Sequence, residues 1–143
     1  MKAILAGGAY PHRLGLSETI LIFENHLNLI GGREALPGLL ADMKVAACEQ
    51  KITVECDNLE QAVQAAEAGT DSVQFDKVSS GKLKTWCPEL KARFPNLIIL
   101  SAGGVGPNNV QDYARTGVDG IVLSSVFHAK PADLSVTITP APA

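Results

Sequence analysis

ITVECDNLEQAVQAAEAGTDSVQFD, residues 52–76, contains two short apolar runs joined by a polar, alanine-rich segment. The runs ITVE (52–55) and SVQFD (72–76) are nearly continuous in buried-type residues instead of alternating regularly with polar ones. Strands that are covered on both faces of a parallel sheet have this composition. The stretch therefore predicts two parallel strands with a crossover between them.

The segment between the two runs has the features of a helix. Leu59, Val63 and Ala66 fall on one helical face. Asp57 followed by Glu60 fits a capping box at the helix start. Since parallel strands need a crossover of about a dozen residues, usually a helix, residues 52–76 are predicted to form a βαβ unit.

The same layout recurs along the chain. Together with LIILS (97–101) and GIVLSS (120–125), the runs begin at residues 52, 72, 97 and 120, so successive starts are 20, 25 and 23 residues apart. An earlier run, TILIF (19–23), precedes them, and helix-like stretches occupy 33–49 with an interruption near Pro37 and Gly38, 79–94, and 107–116. The pattern predicts an α/β fold with about five parallel strands.

The chain is short for a closed barrel. An eight-stranded barrel takes about 200 residues or more, whereas this chain has 143. SVTIT (135–139) alternates like an edge strand and has no helix after it. We therefore expect a partial barrel domain over 1–134, and an edge strand with a tail over 135–143. KAILAGG reads as a helix from the first residues, so either the sheet is open or the sequence lacks its beginning. The family resemblance given below favours the second alternative.

Composition narrows the class of protein. The net charge is −3 and the lysines and arginines are scattered, so the basic patch of a nucleic-acid binder is missing. No apolar run approaches the roughly 20 residues that a membrane-spanning helix needs. Cys48, Cys56 and Cys87 show no metal-ligand spacing and suggest reduced thiols. We expect one soluble, cytoplasmic domain.

Polar residues and glycines follow the predicted strands at their carboxyl ends. Glu55, Asp76, the Ala102-Gly103-Gly104 turn, Ser124 and Ser125 all occupy such positions. In parallel sheets and barrels, catalytic and ligand-binding groups gather at this edge. These residues are therefore the first candidates for a site.

Four segments, taken in order, carry a family resemblance: GGAYPHRLGLSETILIFENH, ITVECDNLEQAVQAAEAGTDSVQFD, ILSAGGVGPNNVQDYARTGVDGIVLSS and PADLSVTI. They resemble the carboxyl-terminal half of quinolinate phosphoribosyltransferase, also called nicotinate-nucleotide pyrophosphorylase. The resemblance covers nearly the whole chain. AGG in place of the usual SGG, and the ending SSVFHAKPADLSV, look closer to the ModD branch, which is associated with molybdenum-transport genes.

The resemblance implies a fold and a reaction. The fold would be a barrel of about six strands, open on one side, preceded by an α/β sandwich domain and working as a homodimer. This chain would lack the sandwich domain and the first barrel strand, which carries an arginine-lysine pair that contacts substrate. The reaction would transfer phosphoribosyl from phosphoribosyl pyrophosphate to the ring nitrogen of a pyridine dicarboxylate, with Mg²⁺, release of pyrophosphate and loss of one carboxylate.

The resemblance also assigns expected roles to residues. His12 and Arg13 match a pair that grips a ring carboxylate through charge-assisted hydrogen bonds. Glu55 and Asp76 match acidic residues near the metal and the ribose hydroxyls. Mg²⁺ prefers oxygen ligands and is commonly held by one or two carboxylates, water and substrate phosphate. Two strand-end carboxylates suit that arrangement, and Asp57 is expected to serve the helix start, which leaves Glu55 free.

Phosphate contacts are expected from the late loops. The candidates are Ser101, Gly103, Gly104, Ser124 and Ser125, because barrel phosphate sites are often built from the last two strand-to-helix loops. Three positions depart from the family pattern: Phe23 stands where a substrate-reaching lysine is typical, Ala102 replaces serine, and Ser124 replaces glycine. The loss of positive charge at residue 23 favours a less acidic acceptor than quinolinate.

Two alternatives remain. A phosphate-binding barrel isomerase or aldolase would also use strand-end acids and a late glycine loop. It should need a strand-end lysine or a lone base, and the lysine that comes closest to a strand end is Lys77. A catalytically inactive homologue could instead bind a phosphorylated metabolite. Under any of these functions, an incomplete barrel leaves unpaired strand edges, so we expect a homo-oligomer.

Overall fold

The computed structural model describes residues 2–15, 18–126 and 130–140. The strands are β1 (Ile20–Ile22), β2 (Ile52–Cys56), β3 (Ser72–Asp76), β4 (Ile98–Ala102) and β5 (Gly120–Val122). The α-helices are α1 (Lys2–Ala6), α2 (Glu24–Leu29), α3 (Leu36–Ala46), α4 (Leu59–Glu67), α5 (Ser80–Arg93) and α6 (Val110–Ala114), and a 3₁₀ turn spans Arg33–Ala35.

The strands form one parallel sheet. Its order is β1-β2-β3-β4-β5, so each strand lies beside the next one in the chain. The predicted α/β fold with five parallel strands is confirmed. Each crossover between β2 and β5 contains one α-helix, and this sequential winding is that of a barrel wall.

The two faces of the sheet differ in chemistry. One face is covered by helices and carries the apolar core, which includes Ile52, Val54, Cys56, Val73, Phe75 and Ile99 from the strands and Leu36, Leu40, Ala62, Ala65, Leu83 and Leu90 from the helices. Because side chains alternate along a strand, the residues between them point to the opposite face. We call this opposite side the inner face; it carries Thr53, Glu55, Ser72, Gln74, Asp76, Leu100 and Ala102.

Neither Pro37 nor Pro88 interrupts its helix. The predicted break near Pro37 and Gly38 is absent, because Pro37 lies in the first turn of α3, where a missing N–H costs nothing. Pro88 lies inside α5, which still runs from residue 80 to 93. Helix α6 begins only at Val110, since residues 107–109 form a turn closed by bonds from Asn109.

The start of α4 corrects the predicted cap by one residue. Asn58, not Asp57, is the N-cap, and its Oδ1 accepts a hydrogen bond from the Gln61 N–H at 2.9 Å. Gln61 Oε1 in turn accepts from the Asp57 N–H at 2.8 Å. The pattern differs from a capping box in one bond, because Gln61 accepts from the N–H of Asp57, the residue before the N-cap, and not from that of Asn58. Glu55 remains outside this cap.

The carboxyl-terminal segment also differs from expectation. Residues 135–139 form no strand in the described part of the chain, which corrects the predicted edge strand. Leu134, Val136 and Ile138 are 87%, 88% and 92% exposed. The described residues offer this segment no adjacent strand, and an unpaired strand is not stable by itself. Residues 141–143 of the predicted tail lie outside the described residues.

None of the helices among the described residues is long and apolar enough to cross a lipid bilayer.

Two aspartates fasten the strands in the same way. Asp71 precedes β3; its N–H donates to Ile52 O at 3.1 Å, and its Oδ2 accepts from Ile52 N at 2.9 Å. Asp119 precedes β5 and makes the same pair of bonds with Ile99, at 2.8 and 2.7 Å. Lys91 Nζ lies 2.7 Å from Asp119 Oδ2. Each aspartate thus fixes the register of its strand against a neighbour.

We predict that Asp119→Asn lowers the free energy of unfolding by about 1 kcal/mol at pH 7, because a charge-assisted bond becomes a neutral one. Partial burial alone would raise the pKa of Asp119, but the bonds from Lys91 and the Ile99 N–H outweigh it and hold the pKa below its ordinary value. The stabilisation is therefore present at neutral pH and is lost as the pH falls through that depressed pKa.

Urea unfolding of the wild type and of Asp119→Asn from pH 7 downward measures this effect. The exposed Asp42→Asn in α3 is the control for loss of one negative charge. An equal loss in the control, or a difference between the wild type and Asp119→Asn that does not narrow in acid, would contradict the assignment.

Candidate active site

Glu55 and Asp76 lie together at the carboxyl ends of β2 and β3. Glu55 pairs in register with Gln74, so Asp76 is two residues further along the neighbouring strand and on the same face. The structure thus brings the two predicted carboxylates to one edge of the inner face.

The glycine turn after β4 closes against this pair. Gly103 has a φ of 75°, and a Cβ built on it would collide with Asp76 Oδ1 and come within 2.7 Å of Lys77 Cγ. The Lys77 N–H donates to Ala102 O at 2.8 Å and holds the two loops together. Gly104, with a φ of 72°, follows in open space. Only glycine leaves room for the Asp76 carboxylate beside this turn.

The surroundings of Glu55 at this edge of the inner face disfavour its ionised form. Partial burial, and then the negative charges of Asp76 and Asp57, raise the pKa of Glu55 above its ordinary value, while the Gln74 amide and Lys77 oppose the rise. Lys77 Nζ lies 3.1 Å from Asp76 Oδ2, and this contact raises the pKa of Lys77. A cation bound here would relieve the repulsion between the carboxylates.

The donor set suits a hard cation that shares its ligands with a substrate. Among residues 2–15, 18–126 and 130–140, no three His, Cys, Asp or Glu side chains cluster as a metal site. Mg²⁺ is usually held by one or two carboxylates, with water and phosphate oxygens completing its shell. Glu55 and Asp76 fit that pattern and could bind such an ion together with a diphosphate.

Ser101 lies on the other side of the sheet. It is in register with Phe75 and Ile121, is 0% exposed, and its Oγ has no hydrogen-bond partner among the described residues. Its neighbour Ala102 points to the inner face beside Asp76. Because side chains alternate along β4, the Ser101 hydroxyl points into the core and away from the Glu55 and Asp76 edge. The expectation that this hydroxyl contacts phosphate is therefore corrected.

The remaining predicted residues lie around a separate opening. A cavity of about 580 Å³ is bounded by residues 9–12 on one side and by β4, β5 and the following loop on the other, with His12, Ser124 and Leu100 in its wall. Leu100 pairs in register with Gln74, so the cavity adjoins the carboxylate edge. Partial burial, and then the charge of Arg13, lower the pKa of His12.

Arg13 and Ser125 flank this cavity without being among its lining residues. Arg13 has a φ of 53°, which is uncommon for a residue other than glycine. Ser125 is exposed in the turn after β5. The structure therefore groups Glu55, Asp76 and Gly103 closely, and places His12 and Ser124 in the neighbouring cavity.

Two residues near the site were missed by the sequence analysis. Arg33 has a side chain only 16% exposed; its Nη2 donates to Glu55 O at 3.2 Å and lies 2.6 Å from Glu24 Oε2. It therefore anchors the end of β2, and an arginine after two glycines gives no such signal in the sequence. Gln74 lies in register between Glu55 and Leu100. A glutamine inside an otherwise apolar strand was the signal for it.

Phe23 and His26 occupy the end of β1. His26 Nδ1 accepts a hydrogen bond from the Phe23 N–H at 3.0 Å, and the two rings stack at 5.3 Å. His26 therefore caps α2. Phe23 follows Ile22, which pairs with Val54, and so lies level with Glu55. The residue that follows β1 is therefore aromatic and carries no positive charge, and its ring stacks on His26.

Comparisons with known proteins identify relatives that match most of this chain. A family model described as quinolinate phosphoribosyl transferase, C-terminal domain, matches residues 1–137. A putative pyrophosphorylase ModD from Pasteurella multocida is 40% identical over 96% of this chain and 49% of its own length. The carboxylating nicotinate-nucleotide pyrophosphorylase of Rattus norvegicus is 36% identical over 90% of this chain and 42% of its own length.

Solved structures with a similar fold include further pyrophosphorylases. The nicotinate-nucleotide pyrophosphorylase from Francisella tularensis has a TM-score of 0.75 and 27% identity, over 87% of this chain and 42% of that one. A thiamine phosphate pyrophosphorylase from Pyrococcus furiosus, at a TM-score of 0.61 and 20% identity, shares the fold. The chain spans about half, or slightly less, of the length of the curated relatives it matches.

We predict that Gly103→Ala destabilises the protein more than Gly104→Ala. Both residues have a positive φ, so both substitutions cost about 1–2 kcal/mol of backbone strain. Only at residue 103 does the new methyl group meet Asp76 and Lys77, which adds about 1–3 kcal/mol of overpacking. Equal free energies of unfolding for the two variants, measured in urea, would show that the close approach of Gly103 and Asp76 is wrong.

We also predict that Glu55→Gln stabilises the fold at pH 7 by about 0.5 kcal/mol, with screening by solvent taken into account. Because the folded pKa of Glu55 is raised, its contribution to stability is present in acid and is lost as the pH rises through that pKa. The gain from Gln should therefore vanish in acid. Glu60→Gln, at an exposed position of α4, is the control and should show no gain in thermal unfolding.

Proposed function

The chain belongs to the quinolinate phosphoribosyl transferase family, through the C-terminal domain of that family, and we propose that its inner face binds phosphoribosyl pyrophosphate for phosphoribosyl transfer. The observation that carries the proposal is the contact between Asp76, next to Glu55, and the Gly103 turn. Carboxylates for a sugar and a cation thus adjoin a loop that a phosphate can approach closely.

The proposed reaction needs no covalent bond to the protein. The bond between C1 of the ribose and the pyrophosphate oxygen breaks, its electron pair leaves with pyrophosphate, and a ring nitrogen of the acceptor bonds to C1. Glu55 and Asp76 would orient the ribose through its hydroxyls and would hold Mg²⁺, and a bound Mg²⁺ would supply positive charge for the pyrophosphate. The rate would come from positioning and electrostatics.

The acceptor would be a pyridine carboxylate or a related ring. His12 and Arg13 would bind its carboxylate by charge-assisted bonds, since His12 lines the cavity that adjoins the carboxylate edge. Phe23 supplies no charge beside Glu55, which favours an acceptor with less negative charge than a dicarboxylate. Ser124, in the same cavity wall, would add a hydroxyl contact to the acceptor or to a phosphate.

The relatives support a more specific proposal. Identity to the ModD protein of Pasteurella multocida is 40%, against 36% to the rat pyrophosphorylase and 31% to the ModD protein of Escherichia coli O157:H7. On the first value, and on the segments that resemble the ModD branch, we propose a ModD-type acceptor, and with it the link to molybdenum transport that this resemblance implies. The second candidate is a homologue that binds the phosphorylated ligand without turnover, because Phe23 and Ala102 remove a charge and a hydroxyl from the predicted family pattern.

Calorimetry with phosphoribosyl pyrophosphate and Mg²⁺ tests the binding step. We predict that Asp76→Asn weakens binding at least about tenfold, as expected for a lost charge-assisted contact. Asp42→Asn, remote on α3, is the matched control and should bind as the wild type does. Urea unfolding of both variants checks that the fold is intact.

Chromatography of mixtures with quinolinate and related pyridine carboxylates then separates the two candidates. Release of pyrophosphate with formation of a ring nucleotide supports the transferase. Binding without any product supports the second candidate. If the folded wild-type chain does not bind phosphoribosyl pyrophosphate, both candidates are wrong for this chain.

A further inference from the structure

Gln74 is a buried polar side chain at a position that an apolar side chain could fill. It lies in the middle of β3, and it is only 6% exposed. Its register partners on the inner face are Glu55 on one side and the apolar Leu100 on the other. A methionine of similar size would fill the same space without burying an amide.

One atom of the Gln74 amide has no partner. The side chain belongs to the inner face, where Gln74 is in register with Glu55. Its Oε1 is buried and has no hydrogen-bond partner among the described residues. A buried acceptor without a partner destabilises a fold, so it calls for an explanation outside the fold.

The groups around this oxygen define the ligand that would satisfy it. On the inner face of β2 and β3, the hydroxyls of Thr53 and Ser72 bond to each other at 2.5 Å. The other polar side-chain atoms that these strands place near Gln74 are the oxygens of Glu55 and Asp76, which are acceptors when ionised. Lys77, just past β3, has its Nζ 3.1 Å from Asp76 Oδ2. The missing partner must therefore be a donor that the ligand brings.

We propose that Gln74 is a specificity-determining residue, whose amide oxygen accepts a hydrogen bond from a hydroxyl of a sugar phosphate bound between Glu55 and Asp76. The last torsion of a glutamine side chain is soft, so the oxygen can turn toward a hydroxyl that enters beside Glu55. The inference rests on the proposed function and adds to it the recognition of the sugar, as distinct from the diphosphate.

Replacement of Gln74 by methionine separates the two contacts. Calorimetry with Mg²⁺ compares two probes, phosphoribosyl pyrophosphate and inorganic pyrophosphate. We expect Gln74→Met to bind phosphoribosyl pyrophosphate at least tenfold more weakly than the wild type does, and to bind pyrophosphate equally well. The urea midpoint should be unchanged or higher, because the unpartnered acceptor is gone. Gln64→Met, exposed on α4, should change none of these values.

Other outcomes overturn the inference. Unchanged affinity of Gln74→Met for phosphoribosyl pyrophosphate would show that the Gln74 amide does not bind a hydroxyl of the sugar. Weaker binding of both probes with a lower urea midpoint would show a purely structural role. Gln74→Leu repeats the comparison if the methionine variant does not fold. If the wild type binds pyrophosphate but not phosphoribosyl pyrophosphate, the proposed function fails together with the inference. Failure at Gln74 alone leaves the proposed function intact.

Discussion

The period of two along each strand is the constraint on which the rest of this structure depends. In a parallel sheet with helices on one side, every second residue must be apolar and must face those helices. The residues between them are released from the core. Glu55, Gln74 and Asp76 share one face because Glu55 and Gln74 are in register. A slip of β3 by one residue would turn Gln74 and Asp76 toward the helices and leave Glu55 on the inner face. The bonds of Asp71 and Asp119 to neighbouring strands oppose such a slip.

Because the helix-covered face supplies the apolar core, the inner face can carry groups that destabilise the fold. The helix side buries large side chains such as Phe75, Leu83 and Leu90 completely. The inner face carries two carboxylates that repel each other and an amide oxygen without a partner. Groups that cost stability and are not needed by the core are characteristic of sites that bind a ligand. The inner face is therefore more readily explained by ligand binding than by folding.

The sequence predicts the large features because they depend on composition over several residues. Apolar runs identified all five strands, and acids after two of them identified the Glu55 and Asp76 edge. Features decided by a single residue step were missed. Ser101 and Ala102 are adjacent, and only the register of β4 determines which one faces inward. The cap of α4 moved from Asp57 to Asn58 for the same reason, since both side chains can accept the bond. The strand predicted over 135–139 failed because pairing depends on a distant neighbour, which an alternating pattern cannot supply.

The Gly103 turn has a consequence for how new chemistry could arise on this scaffold. Residue 103 admits no side chain, because the Asp76 carboxylate already fills the space that a side chain would need. Ala102, beside Asp76, is itself only 7% exposed, whereas Ser124 is exposed in the wall of the neighbouring cavity. Directed evolution toward other acceptors should therefore keep glycine at residue 103 and vary exposed positions such as Ser124.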